Sequence, residues 1–434
     1  MTRHLSLLAA VCLLGAIAHA QDNAALLDRL KAMEDRIKAL EAEVTELKGQ
    51  KATPEPAPAA AAAAVAPSGA PNTSAASQAA ASKVFNPDIA VIGDFIGTGG
   101  HNPVVSSPAL EMHESEVAFQ AILDPYARAD FFISFGEQGV TLEEGFLTFT
   151  SLPAGLQLKV GKMRAAFGKV NTLHNHVLPW IDRPLVTQDL VGGEDGIDDA
   201  GLSLSRILPA PKGLFLEATA QIYRGDSDNV FHARRRDDVA TVGHLRAYRD
   251  LSESTNIDIG GSYARGHSPF GNGTNQLWGT DLTLRWKPLR RAIYHSFVGR
   301  SEFIWARTAQ DQYNGAFPGL LPQPAFLVRP FGYYVSAEYQ LGRRWFAGAR
   351  FDRSERGNCL PTEPPTTTLC NVPPAPGQPL LRDTGGSLVL TYWPSEFSQI
   401  RGQLRHTHYG EGLTANEFIF QFMFSMGAHG AHPF

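Results

Sequence analysis

Residues 416–425 read Asn-Glu-Phe-Ile-Phe-Gln-Phe-Met-Phe-Ser, and how this stretch is placed decides the fold. With the period-two geometry of a strand, Phe418, Phe420, Phe422 and Phe424 share one face, while Glu417, Gln421 and Ser425 lie on the other with Ile419 and Met423 between them. In a sandwich surrounded by water the aromatic face would be the core. In a membrane barrel it would face lipid, and the polar face would line a wet lumen. The rest of the chain has to choose between these two settings.

The chain has 434 residues and a formal net charge of -5, so neither nucleic-acid binding nor a polyacidic character is implied. Residues 1–20 have the build of a secretory signal peptide. Arg3 supplies a positive start, Leu5 to Ile17 an apolar run, and Ala18-His19-Ala20 a small-x-small cleavage site. Beyond it no run of about 18 apolar residues could form a membrane helix, so a membrane protein here would have to be a barrel. Cys12 lies in the signal, which leaves Cys359 and Cys370 as a pair in a Pro/Thr-rich segment of an exported chain. A loop-stapling disulfide between them is expected.

Residues 21–50 carry a heptad seam, with Leu30, Ile37 and Val44 at one core position and Met33, Leu40 and Leu47 at the other. The flanking pairs Arg29/Glu34, Arg36/Glu41 and Glu43/Lys48 are opposite in sign, which suits a parallel homo-oligomer. β-Branched residues at the first core position favour a dimer. Arg29 to Glu34 and Arg36 to Glu41, however, look like the Arg-apolar-x-x-apolar-Glu signature of trimeric coiled coils. A homotrimer is therefore expected, with a dimer and a lone amphipathic helix as alternatives. Residues 51–84 are mostly Ala, Pro and Ser and form a linker able to reach roughly 100 Å at about 3.1 Å per residue.

From Phe85 to Phe434 the text becomes short alternating segments between turns. Sixteen can be marked: Ile89 to Gly97, Glu114 to Leu123, Arg128 to Gly136, Val140 to Thr150, Leu156 to Lys162, Asp198 to Ile207, Leu214 to Tyr223, Val242 to Leu251, Asn256 to Arg265, Leu277 to Lys287, Ser296 to Arg307, Gly332 to Leu341, Trp345 to Arg353, Gly385 to Trp393, Gln399 to Tyr409, and the opening stretch. Short connections such as Asp124-Pro125 and Gly342 to Arg344 alternate with mostly long ones such as 163–197 and 354–384. A single-chain outer-membrane barrel sorts its connections in this way, with an even strand count, turns on the periplasmic side and loops outside.

Apolar sets such as Phe131/Ile133/Phe135 and Leu388/Leu390/Tyr392 share one face, and Trp286, Tyr392 and Phe424 lie near strand ends where an interfacial girdle is expected. The opposite faces carry Glu116, Lys159, Arg285, Arg300, Glu302, Glu338, Arg350, Asp352, Arg401 and Arg405, among others. So many charges would ruin a dry core and suit a water-filled lumen. The expected fold is all-β, a sixteen-stranded antiparallel transmembrane β-barrel preceded by a short α-helical coiled coil in the periplasm. The sixteenth strand must pair with the first to remove both sheet edges.

The segment Leu142 to Ser205, containing LEEGFLTFTSLPAGLQLKVGKMRAAFGKVNTLHNHVLPWIDRPL and GGEDGIDDAGLSLS, together with the C-terminal FMFSMGAHGAHPF, resembles bacterial outer-membrane porins related to the phosphate-selective porin family. Some members of that group carry the label of TonB-dependent receptors. The resemblance implies a sixteen-stranded trimeric barrel, whereas a plugged 22-stranded transporter needs far more than the 350 residues from Phe85. Phosphate selectivity would need a basic ladder in the pore, yet Lys159, Arg285, Lys287, Arg300, Arg350, Arg401 and Arg405 are answered by Glu116, Asp130, Glu144, Glu217, Asp258, Asp281, Glu302, Glu338, Asp352 and Glu417.

Residues 163–197 follow the fifth strand and carry both signs of charge, including Arg164, Lys169, Asp182, Arg183, Asp189 and Glu194. A loop folded into the lumen with opposed charges would select solutes by charge and hydration; the alternative is an ordinary surface loop. Trp180 and Leu178 could anchor it. His174-Asn175-His176 and His429/His432 could bind a borderline metal, but loop histidines making hydrogen bonds are the expected reading. Arg234-Arg235-Arg236 with Asp237-Asp238 could touch lipopolysaccharide phosphates or simply be solvated. No GxSxG, HExxH or phosphate-cradling loop occurs. The expected function is a cofactor-free, non-enzymatic channel for small hydrophilic solutes. A periplasm-spanning tether and a barrel enzyme are the alternatives.

Overall fold

The computed structural model describes residues 87–427, apart from 137–138, 228–229, 270–272, 311–325, 363–366 and 373–378, together with Lys31 and Lys38. The signal peptide, most of the coiled coil, the linker and the tail histidines His429 and His432 lie outside the described residues. Lys31 and Lys38 are helical and fall in a separate unit, Met1–Asn72; the barrel falls in Thr73–Phe434.

Sixteen antiparallel strands make the barrel: β1 (Asp88–His101), β2 (Leu110–Asp124), β3 (Ala127–Gly136), β4 (Gly139–Leu152), β5 (Leu156–Arg164), β6 (Asp198–Leu208), β7 (Leu214–Tyr223), β8 (Ala240–Ser252), β9 (Thr255–His267), β10 (Thr274–Trp286), β11 (Phe297–Gln310), β12 (Phe331–Gly342), β13 (Trp345–Arg356), β14 (Leu381–Ser395), β15 (Ser398–His408) and β16 (Thr414–Gly427). Each pairs with the next, and β16 pairs with β1 over Ala90↔Gly427 to His101↔Asn416, so the sheet closes. Every segment marked in the sequence is a strand. Several run further at the loop end than alternation suggests, as β13 does to Arg356 and β14 back to Leu381. There the outward apolar residues give way to the ions Arg353, Glu355 and Arg382, with both arginines 3.4 Å from Glu355, while the backbone ladder continues.

Burial is inverted relative to a protein core. Leu388, Leu404 and Phe418 are 61, 57 and 49% exposed, while their inward neighbours Ser387, Gln403 and Glu417 are 4, 0 and 6% exposed. The apolar surface faces out, which is the arrangement of a barrel wetted by lipid. Trp286 and the stacked pair Trp345–Tyr392, with centroids 4.4 Å apart, sit at the turn end, as strand position suggested for Trp286 and Tyr392. A second ring lies at the loop end, where Tyr263 meets Trp278 and Trp305 stacks on Phe331. Trp278 and Trp286 are eight residues apart on β10, about 27 Å along the strand and about 21 Å along the axis at a ~40° tilt. That height suits an apolar band between two aromatic girdles.

The β1–β16 seam depends on a close approach at its turn end. Gly427 has φ +90°, and a Cβ there would lie 2.1 Å from the Ile89 carbonyl oxygen. A side chain would strain this backbone and push the closing pair apart. Gly427→Val is expected to destabilise the barrel by roughly 1–3 kcal/mol. The loss would be read as a lower urea midpoint for the heat-modifiable folded band in gel electrophoresis, and an unchanged midpoint would contradict the seam argument.

Candidate functional site

Residues 165–197 leave β5, cross the lumen and return to β6. The segment carries one short helix, α1 (Leu185–Leu190), and bulky apolar residues that are almost fully buried, among them Phe167, Val170, Leu178, Trp180, Val186 and Ile197. Inward-facing residues of the barrel meet its backbone. Ala166 N–H donates to Gln221 Oε1 at 2.8 Å, Gly168 N–H to Ser262 Oγ at 2.9 Å, and Lys169 and Val170 N–H to Glu302 Oε1 at 2.9 and 2.7 Å. Further round, Ile181 N–H donates to Gln403, and the Leu178 and Trp180 carbonyls accept from Arg401 at 2.9 and 3.2 Å. Irregular backbone at membrane depth is tolerable because it is buried in protein and its polar groups are paired. Gly168 permits the tightest approach, with φ +60° and no room for a Cβ, which would fall 2.5 Å from Glu302 Oε2.

Asp182 is the chief electrostatic fastening. Its Oδ2 accepts from Arg350 Nη2 and Arg405 Nη1, each at 2.9 Å, and Oδ1 accepts from Gln403. Burial opposes its charge, but the guanidiniums of Arg350 and Arg405 outweigh that and hold the carboxyl below its ordinary range. Trp180 completes the anchor, edge-on to Tyr334 at 5.1 Å and under the Arg350 guanidinium at 4.9 Å. On the other side of the lumen His174 meets three carboxylates, with Nδ1 2.7 Å from Glu116 and 2.9 Å from Glu143, and Nε2 2.8 Å from Glu144. Burial works against the imidazolium, but bonds to Glu116, Glu143 and Glu144 prevail and raise its pKa well above the ordinary value.

The residues singled out in the sequence divide into two groups. Arg164, Arg183, Glu302, Arg350, Asp352 and Arg401 are buried and tie the loop to itself or to the wall. Arg164 Nη1 bonds the Glu194 and Asp195 carbonyls, Arg183 the Val170 and Leu173 carbonyls, and Asp352 accepts from Leu185 N–H. Lys159, Lys169, Arg285, Arg300, Glu338 and Arg405 stay partly exposed. Lys169, on the loop, is pushed below its ordinary pKa by burial and by the charge of Arg246. Around it lie Arg246, bidentate to Asp258, then Arg285 and Asp281; Arg300 and Glu338 pair at 3.8 Å. Asp189 is half-buried and raised to about 7 by burial and the charge of Asp383. Glu194 is exposed, 3.5 Å from His113. At the turn end, below the loop, a cavity of about 830 Å³ is lined by Pro179, Glu338, Arg343, Arg344, Thr391 and Arg401 among others.

Sequence reading missed Arg246, His113, Glu114 and Glu143 as lumen groups. For Glu143 a signal existed in the adjacent Glu143-Glu144 pair. The β3–β4 ladder steps from Phe132↔Glu144 to Ile133↔Leu142, so Glu143 is bulged, and the two adjacent carboxylates both turn inward. Cys359 and Cys370 lie in a small hairpin, Asn358–Thr362 with Thr367–Val372, within the irregular step between Asn358↔Val372 and Leu360↔Leu369.

No protein-family model matches the chain. An uncharacterized protein of Aquifex aeolicus is 27% identical over 407 residues, spanning 81% of each chain. Among solved structures, Pseudomonas putida OprB is similar over 81% of this chain and 96% of its own, with TM-score 0.50 and 9% identity. The outer membrane channel DcaP of Acinetobacter baumannii gives 0.49 at 10% identity over 79 and 96%, and the anion-selective porin from Comamonas acidovorans 0.49 at 8% over 78 and 99%. At 9% identity the likeness to OprB establishes the fold alone, a closed antiparallel β-barrel.

Asp182→Ala removes the counter-charge that buried Arg350 and partly exposed Arg405 share, leaving Arg350 to Asp352 and Arg405 to Glu417. The expected cost is roughly 3 kcal/mol, with faster hydrogen exchange at the Ile181 and Leu185 amides as the local readout. Exchange unchanged at both amides would show that the fastening lies elsewhere.

Proposed function

We propose that the protein is an outer-membrane porin-like channel through which small hydrophilic solutes diffuse, with residues 165–197 as its constriction. The observation that carries this reading is the loop itself, held across a charged lumen inside an apolar-faced barrel. Solutes pass the gap left beside it, where Lys169 on the loop faces the ladder of Arg246, Arg285 and Arg300 with Asp258, Asp281 and Glu338 interleaved. Such a mixed strip discriminates by charge and hydration. The cations nearest Lys169 favour small anions, in line with the resemblance to phosphate-selective porins, while the interleaved carboxylates keep that preference weak.

In the same reading residues 1–20 direct export, residues 21–50 form a trimeric coiled coil in the periplasm, and residues 51–84 tether it to the barrel. Arg234 to Arg236 on an exposed loop meet lipopolysaccharide phosphates, and Cys359 and Cys370 staple their hairpin as a disulfide.

Ohmic single-channel steps in planar bilayers are expected, and a folded barrel without conductance would overturn the reading. Deleting residues 166–196 should raise the unit conductance, and Lys169→Glu should move the reversal potential toward cations. Removing residues 21–84 should leave folded barrels that no longer sediment as trimers; a persistent trimer would assign assembly to the barrel wall.

A further inference from the structure

The channel reading makes no use of the carboxylates gathered where the loop meets β2, β3 and β4. Glu114 and Glu116 project inward from β2, the bulge turns Glu143 and Glu144 inward from β4, and the loop sets His174 and His176 against them. Arg164, 3.2 Å from Glu143, and the His174 ring among Glu116, Glu143 and Glu144 are the cations set against these four carboxyl groups, and a divalent ion would enter with release of the His174 proton. Glu114, Glu116 and His176 offer one set of three donor atoms within 4.8 Å of one another; Glu116, Glu143 and His174 offer a second, and Glu116 belongs to both. Glu114 is 6% exposed: Oε1 accepts from Ser134 Oγ at 2.9 Å, and the buried Oε2 receives no hydrogen bond.

We propose that these residues form a divalent transition-metal site centred on Glu116. Imidazole with carboxylate and no thiolate is the donor chemistry of Zn²⁺ and its first-row neighbours, whereas Ca²⁺ and Mg²⁺ take all-oxygen shells. Ligands about 2.1 Å from a tetrahedral ion stand about 3.4 Å apart. His174 Nδ1 is 2.7 and 2.9 Å from Glu116 and Glu143, and His176 Nδ1 is 3.8 Å from Glu116, so the donors shift by roughly half an ångström to admit an ion. The Ser134 hydroxyl, set between Glu114 and Glu143, orients both, and the Phe132 ring lies 5.1 Å from His174 as the apolar side of the shell. An ion there ties the inward loop to β2 and β4 on the side away from Asp182.

The test uses the full chain in detergent with His429→Ala/His432→Ala to silence the tail imidazoles, stripped with chelator and titrated with ZnCl₂ by calorimetry. Saturable binding of about one or two ions per chain is expected, with an imidazole-containing shell near 2.0–2.1 Å in zinc-edge absorption fine structure. Glu116→Gln, which keeps the side-chain shape, should lower the affinity at least tenfold, and Glu114→Gln should weaken it as well, whereas Arg285→Ala should not. Folding of each variant is verified by its heat-modifiable mobility. Absence of saturable binding, or an affinity in folded Glu116→Gln and Glu114→Gln unchanged from that of the parent chain, overturns the proposal. Because the readout is binding, it fails or succeeds independently of conductance.

Discussion

The hydrogen-bonded seam between β1 and β16 is the constraint on which the rest of the molecule depends. A strand edge exposed to hydrocarbon would leave a row of unpaired N–H and C=O groups at several kcal/mol each, so a sheet of this kind exists closed or not at all. The twelve-residue pairing from Ala90↔Gly427 to His101↔Asn416 satisfies that demand across the full height of the wall. Its side chains then sort without further choice. Phe418, Phe422 and Phe424 turn to the outside, and Glu417 and Gln421 turn in, where they bond Arg405 and Arg401.

Closure also creates the problem that the inward loop resolves. A sixteen-stranded cylinder is wide enough to hold water, and its inner surface carries charges that need partners. The segment 165–197 supplies them from two sides, with Asp182 among Arg350, Arg405 and Gln403, and His174 among Glu116, Glu143 and Glu144. Between these fastenings Phe167, Val170, Trp180 and Val186 pack against inward apolar residues of the wall, Phe132, Phe146, Tyr223, Leu277, Ile304 and Tyr334 among them. The result is an inner wall of mixed charged and apolar patches with a well-packed element laid across it, leaving the Lys169 side partly open to solvent.

How much was legible follows from which contacts are periodic. The strands were legible because alternation is a local signal repeated sixteen times, and the short turns were legible from Pro, Gly and Asp. Loop-end extensions such as Leu381 to Thr384 were not, since their outward residues are ionic and carry no alternation. His113 and Glu143 escaped because a bulge changes which face a residue occupies, and a one-residue shift in register is invisible in a single chain. Arg350 and Arg401 could be placed on the lumen side by parity, and Arg164 by its place in the segment after the fifth strand. Parity cannot say that a loop covers them, and covering turns a pore-lining cation into a buried fastening.

The sequence by itself therefore determined the architecture: sixteen amphipathic strands, their order, and the pairing of the last with the first, because each rests on a two-residue period and on the cost of an open edge. It did not determine what fills the barrel. The path of residues 165–197, the pairing of Asp182 with two arginines 168 and 223 residues away, and the assembly of His174 and His176 with Glu114, Glu116 and Glu143 are long-range contacts with no periodic signature. Only the closed cylinder brings those positions within hydrogen-bonding distance, so only the tertiary structure could decide them.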